Sequence, residues 1–366
     1  MGEQDEIPKE VQITLYATVG AVSLVCNSLI FLVIGTNKDM RTKSNYLLIS
    51  LATTDWLIIV TGIPIHLINL IKGGNQTHGM VCDLFGFLIL VPFLVSNFNL
   101  TLIAVHRYVL VVRNKSYRKV FTDKRIYMSI ALVWGIGILL SIPPLLGWGS
   151  FSYNANRAHC MIDWQKSLSY LIVLQTMAYP APMATMCFCY YKILRHSYES
   201  SKRLASSGDK HRIAKKKREV RLSIMLLLVL LCFFILFFPY AIMIIYEGQI
   251  GGTPSHTFSF ISMLGAYSNS MVDFWIYAAM STKFRQALKR LFYRIFGKLD
   301  LSPSTTDSSS DAGHSTSTTK VKHQPVPTKP TEGVEQETSI NLFLPGGKIN
   351  PDGVEESCDG SCIEKP

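Results

Sequence analysis

Apolar residues gather in seven long stretches between Val11 and Met280, divided by short polar or basic connections. The stretches cover residues 13–36, 46–71, 81–110, 126–146, 168–193, 221–246 and 256–280. About 20 such residues, at a rise of 1.5 Å each, match the ~30 Å hydrocarbon layer of a bilayer, where a helix satisfies its own backbone. The pattern predicts an all-α membrane protein, with a short N-terminus over 1–12 and a seven-transmembrane helix bundle over 13–280. Beyond the last stretch, Phe284, Leu288, Leu291 and Phe292 recur at helical spacing opposite Lys283, Arg285, Lys289 and Arg290. A short amphipathic eighth helix over 281–298, lying on the membrane surface, is expected there. From 299 to 366 the chain turns to Ser, Thr, Pro, Gly and charge, which cannot bury enough surface to offset chain entropy, so a disordered tail is expected.

Charge sets the expected orientation. Lys38, Arg41 and Lys43 follow the first stretch, Arg113, Lys115, Arg118 and Lys119 the third, and Lys215, Lys216, Lys217 and Arg218 the fifth, while the alternate connections are nearly bare of them. Short Lys/Arg-rich loops stay cytoplasmic, which places the N-terminus outside and the C-terminus inside, at the plasma membrane. The net charge of +11 is mostly this loop bias; it faces membrane lipid and acidic partners and predicts no nucleic acid. The first residues lack the basic start and short apolar core of a cleaved signal, so the first stretch is expected to act as the insertion signal. Asn75-Gln76-Thr77 is then the one outward glycosylation sequon. Cys82 and Cys160 both fall on the oxidising outer side, which predicts a disulfide tying the connection before the fifth stretch to the top of the third.

A spaced set of residues then narrows the class. Asn27, Leu51-Ala52-Thr53-Thr54-Asp55, Cys82, Arg107, Trp134, Pro182, Tyr190, Pro239 and Tyr277 stand in the order and at the spacing of the rhodopsin-like (class A) G-protein-coupled receptors, which the chain resembles over about 13–296. Leu146-Gly147-Trp148-Gly149 is similar to opsins and melatonin receptors, and His159-Cys160-Met161-Ile162-Asp163-Trp164 to opsins; placozoan opsin relatives without the retinal-binding lysine are a similar group. The resemblance implies a receptor, not an enzyme, that passes an extracellular or membrane-borne ligand signal to a heterotrimeric G protein. Arrestin and a receptor kinase would meet the Ser/Thr-rich tail.

The opsin comparison fails at its chemical centre. The position of the Schiff-base lysine is Tyr267, and that of the third-stretch counterion is Phe85, so no covalent cofactor is expected; a noncovalent retinoid stays open. Ile89 occupies the place of the aspartate that pairs amine ligands, which disfavours a small cation. Phe85, Ile89, Phe93, Gln175, Tyr179, Phe237, Tyr240, Ile244 and Tyr267 are expected to line a largely uncharged pocket for an apolar or indole-like molecule or a lipid, although ordinary helix packing would use the same aromatic residues.

Mid-membrane acids need partners, because each costs roughly 2.5–3.5 kcal/mol at the bilayer centre. The family gathers the counterparts of Asn27, Asp55, Ser96, Asn269, Ser270 and Asp273 into a sodium and water cluster, with the ion at Asp55 and Ser96; a plain hydrogen-bonded network is the other reading. At the inner end the resemblance makes His106, Arg107, Tyr108, Tyr190, Glu219 and Tyr277 the coupling switch, with Arg107 held by Glu219. Three departures bear on that switch: His106 replaces the neighbouring acid, Phe274 replaces the proline before Tyr277, and Phe237 replaces the sixth-stretch tryptophan. A noncoupling ligand- or partner-binding membrane protein is the alternative. A seven-span enzyme is disfavoured by scattered histidines, and a transporter by the lack of repeated, broken halves.

Overall fold

The computed structural model describes residues 7–74, 76–205 and 210–296, without the side chains of 201, 203–205, 210–219, 222, 223, 225, 226, 273, 280, 295 and 296. Asn75 and the expected tail lie outside the described residues. Among the described residues, ten α-helices and one hairpin follow in order: α1 (Lys9–Thr36), α2 (Lys43–Lys72), α3 (Met80–Val111), α4 (Asn114–Val120), α5 (Asp123–Ser141), β1 (Phe151–Asn154), β2 (His159–Ile162), α6 (Leu168–Ala178), α7 (Pro180–Ala205), α8 (Lys210–Gln249), α9 (His256–Met280) and α10 (Thr282–Phe296).

Among the described residues, six segments are long and apolar enough to cross a membrane: α1, α2, α3, α5 with the turn after it, α6 with α7, and the apolar part of α8. The seventh, α9, carries Ser259, Ser262, Ser268, Asn269, Ser270 and Asp273 among its apolar residues. It keeps that polarity by lying against α1, α2 and α8. Outward residues such as Val25, Leu132, Leu139, Ile235 and Phe238 are more than half exposed, a distribution that suits a lipid face and would be a liability in water.

Helix ends differ from the expected ones for local reasons. The stretch expected as one helix over 126–146 leaves α geometry at Ser141, because Pro143 and Pro144 lack the N–H that would continue it, and a 3-10 turn follows. The fifth stretch divides into α6 and α7 at Tyr179, where Pro180 and Pro182 again remove donors. The side-chain Nδ2 of Asn97 on α3 donates to the Ala178 carbonyl beside this break. Helix α8 starts at Lys210, well before the expected 221, since helix formation continues past the apolar run.

Helix α10 bears out the amphipathic reading. Phe284, Ala287 and Leu291 are buried, Leu288 is half-buried, Phe292 is 44% exposed, and Arg290 reaches Asp39 at 3.6 Å. Within the bundle, Trp134 Nε1 donates to Ser50 Oγ at 3.0 Å, and Ser50 donates to Asn99 Oδ1 at 3.0 Å, joining α5, α2 and α3. Helices α8 and α9 pack tightly at Gly265, where an added Cβ would lie 2.7 Å from the Leu236 carbonyl oxygen, so only glycine fits.

Candidate functional site

A disulfide joins Cys82 at the start of α3 to Cys160 on β2, as expected. It fixes the hairpin over the end of the bundle, with Phe151 packed on α3 at Gly86. Beneath the hairpin lies a cavity of about 80 Å³ that opens outward. Ile89, Phe93, Tyr240 and Tyr267 line it, as the sequence suggested, but the hairpin supplies His159, Cys160, Met161 and Ile162, and Ile58, Trp164, Met263 and Ala266 complete the wall. Its mostly apolar wall with a few convergent polar groups has the character of a small-molecule site.

The nine expected pocket residues do not form one pocket. Gln175, Tyr179, Phe237 and Ile244 line a second cavity of about 430 Å³ between α6–α7 and α8, whose rim includes the exposed Phe238 and Ile245, and Phe85 is half-buried and lines neither. Between the two runs an aromatic ladder. Phe237 stacks on Tyr179 and on Phe233, with ring centres 5.5 and 5.6 Å apart, and meets Phe93 at 5.0 Å and Tyr240 at 5.1 Å. The ladder fills the space where the Phe237 position was expected to face a ligand.

Polar groups concentrate at the hairpin end. Arg157, 3% exposed, pairs with Glu247 near the end of α8, and Asn154 Nδ2 donates to the other Glu247 oxygen at 3.1 Å. His66, His159 and Tyr267 form a near-equilateral triangle, with ring centres 6.1 to 6.4 Å apart, and Tyr16 lies 4.1 Å from His66. Burial, and then the charge of Arg157, push the His159 imidazole down to about 4, so it is neutral near pH 7. His66, Arg157, His159 and Glu247 were missed as site residues. The sequence signals near them were a lone histidine inside the second apolar stretch and the opsin-like string that begins at His159.

Midway along the bundle, Asn27 Nδ2 donates to the carbonyls of Ser23 and, at 2.7 Å, Ser270, tying α1 to α9. Asp55, Ser96 and Ser270 are buried and Asn269 is half-buried; the Asp273 side chain lies outside the described residues. At the opposite end from the disulfide, Arg107 is 9% exposed. Tyr190 and Tyr277 share a small cavity with Leu51, Leu100 and Ile103. Tyr108 meets Phe188 at 5.9 Å. His106 lies by the α4 segment: its Nε2 is 3.1 Å from Tyr117 Oη, and its ring is 4.8 Å from Phe121. Helix α9 runs unbroken through Phe274, which supplies the N–H that a proline would lack. Glu219 belongs to α8, but its side chain lies outside the described residues, so the Arg107–Glu219 pair does too.

Residues 26–277 match the model of the seven-transmembrane receptor (rhodopsin) family. The GQ-coupled rhodopsin of Mizuhopecten yessoensis is 29% identical over 75% of this chain and 58% of its own length, so the chain spans less than two thirds of that relative. The galanin receptor type 1 of Mus musculus is 24% identical over 77% of this chain and 81% of its own. Squid rhodopsin superposes with a TM-score of 0.71 at 20% identity, over 80% of this chain and 88% of that one, a likeness of fold.

Proposed function

The chain belongs to the rhodopsin family of seven-transmembrane receptors, and from that membership we propose that it is a multi-pass plasma-membrane receptor that couples ligand occupancy to a heterotrimeric G protein. Its N-terminus and the disulfide face outward, and its tail faces the cytoplasm, where arrestin and a receptor kinase would meet it. The observation that carries the reading is the placing of a hairpin-covered cavity at one end of the bundle and the buried Arg107 with Tyr190 and Tyr277 at the other. Ligand in the cavity biases a two-state bundle in which the α7–α8 end moves and exposes Arg107 to the transducer.

Between the ends, the oxygen-rich set of Asp55, Ser96, Asn27 and Ser270 suits a hard cation such as sodium. The Asn27 amide spends its Nδ2 on two carbonyls, and its buried Oδ1 has no partner among the described residues, which fits an oxygen offered to an ion. These residues would hold sodium and let it stabilise the off state.

One assay tests both claims: nucleotide exchange on purified G protein by the full chain in lipid vesicles, with and without sodium chloride, against choline chloride. Wild type is expected to stimulate exchange, Arg107→Ala to lose at least tenfold of that stimulation, and Asp55→Asn to lose the response to sodium. Exchange equal with Arg107→Ala overturns the coupling mechanism, and a sodium response intact in Asp55→Asn removes the ion site.

The ligand is largely apolar and not a cation, since Ile89, Phe93, Tyr240 and Tyr267 give the wall its apolar character and present no carboxylate to a cation. A retinoid, an indole-like molecule or a membrane lipid fits this wall, held without a covalent bond, because Tyr267 cannot form an imine. Incubation with retinal followed by acid is expected to trap no protonated-imine spectrum; such a spectrum would refute noncovalent binding.

A further inference from the structure

The hairpin end of the cavity is rich in donors and poor in acceptors. Both ring nitrogens of His159, the hydroxyl of Tyr267 and Nε of Arg157 have no hydrogen-bond partner among the described residues. His66 has only the Arg157 backbone carbonyl beside it, outside ordinary hydrogen-bond geometry. All four residues are more than nine-tenths buried. Tyr267 points its hydroxyl at α2, within 2.7 Å of where a Cβ on Gly62 would stand, and His66 follows one turn later on the same face. Two of the four, His159 and Tyr267, line the cavity itself.

Leaving a buried polar group without a partner is costly, so a cluster of them is a strong demand for a polar guest. The Glu247 carboxylate is already committed, with one oxygen taken by Asn154 and the other by Arg157. Each neutral imidazole offers one N–H, Tyr267 one O–H and Arg157 one N–H, against which stand only the imidazole lone pairs and the phenol oxygen. A hydroxyl head would take one donor and give another. An ammonium head would find few acceptors and would face the Arg157 charge. A carboxylate, with lone pairs for about four donors, answers the imbalance.

Building on the proposed ligand pocket, we infer that this corner is a carboxylate subsite, in which His159 and Tyr267 hydrogen-bond the acid group of an otherwise apolar ligand while His66 and Arg157 stand behind them. The ligand class is then a long-chain or isoprenoid carboxylic acid whose chain runs over Phe93 toward the aromatic ladder. The neutral state of His159 leaves its N–H available to the acid and its second nitrogen able to take up a proton as the acid binds.

The test is a titration of the purified full chain with all-trans-retinoic acid and with its methyl ester, read by quenching of Trp164 in the cavity wall, and with palmitic acid and methyl palmitate by displacement. Each acid is expected to bind at least tenfold tighter than its ester. Tyr267→Phe and His159→Gln are each expected to lower acid affinity about tenfold while leaving ester affinity within twofold, the ester serving as the control for a folded pocket. Equal binding of acid and ester overturns the inference. So does an acid preference that survives both substitutions, or failure of both acids to bind. G-protein activation by the same preparations is read separately, so loss of the subsite and loss of the receptor reading are distinguishable.

Discussion

Glu247→Ala is expected to lower the stability of the full chain by about 3–5 kcal/mol, the range for removing one partner of a buried ion pair. The size follows from what stays behind: Arg157, whose side chain is 1% exposed, loses its counter-charge against a Glu247 that is itself only 15% exposed. The loss should appear as a large fall in the thermal midpoint in detergent. Arg157→Met combined with Glu247→Leu should recover most of it, because two apolar groups leave no charge stranded. A Glu247→Ala midpoint within a degree of wild type would show that the pair does not hold the hairpin. Acid should loosen the same element. His159 takes its proton near pH 6.5 when the hairpin is opened to water and near 4 when closed, so the open form binds more protons between those values. The hairpin's stability is therefore complete above about pH 6.5 and falls as the pH drops toward 4, by roughly 2–3 kcal/mol at pH 4.5. Hydrogen exchange over residues 151–162 at pH 7.5 and 4.5 would read it.

The long helices were legible because a bilayer imposes one rule on them, an unbroken apolar run, and α1, α2, α3 and α5 obey it in plain view. Helix α9 shows the limit of that rule. Its serines are tolerated because neighbouring helices cover them, yet its position and length were still readable as the seventh apolar stretch, over 256–280. The hairpin was not legible, since two four-residue strands leave too short a pattern, and its place depends on a disulfide spanning 78 residues. The polar corner was harder still. Arg157 and Glu247 stand 90 residues apart, and no periodicity links them; only the fold of the connecting loop does. The expected pocket residues fall into two spaces for a similar reason: Tyr179, at the proline break, stacks on Phe237, and this aromatic packing stands between the two cavities. The switch residues were readable as a family pattern, but the turn of His106 toward Tyr117 was not, because α4 is a loop helix of seven residues with no apolar stripe of its own.

His106→Asp is expected to lower ligand-free G-protein activation about tenfold, whereas His106→Asn should leave it within twofold of wild type. His106 is 1% exposed and spends Nε2 on the Tyr117 hydroxyl, so it ties the end of α3 to α4 and brings no negative charge to its neighbour Arg107. Aspartate places a carboxylate beside a guanidinium that is itself 9% exposed. A charge-assisted hydrogen bond there is worth about 1.5–3 kcal/mol, less the desolvation of the added acid. A net gain of about 1.4 kcal/mol in the state that keeps Arg107 inside the bundle shifts the population tenfold. Asparagine carries the same shape without the charge, so it separates electrostatics from the lost Tyr117 contact. The measurement is nucleotide exchange in vesicles at matched receptor density. If the aspartate and asparagine forms give equal basal exchange, charge beside Arg107 does not set the off state, and the resting equilibrium is governed instead by how α3 packs on α4.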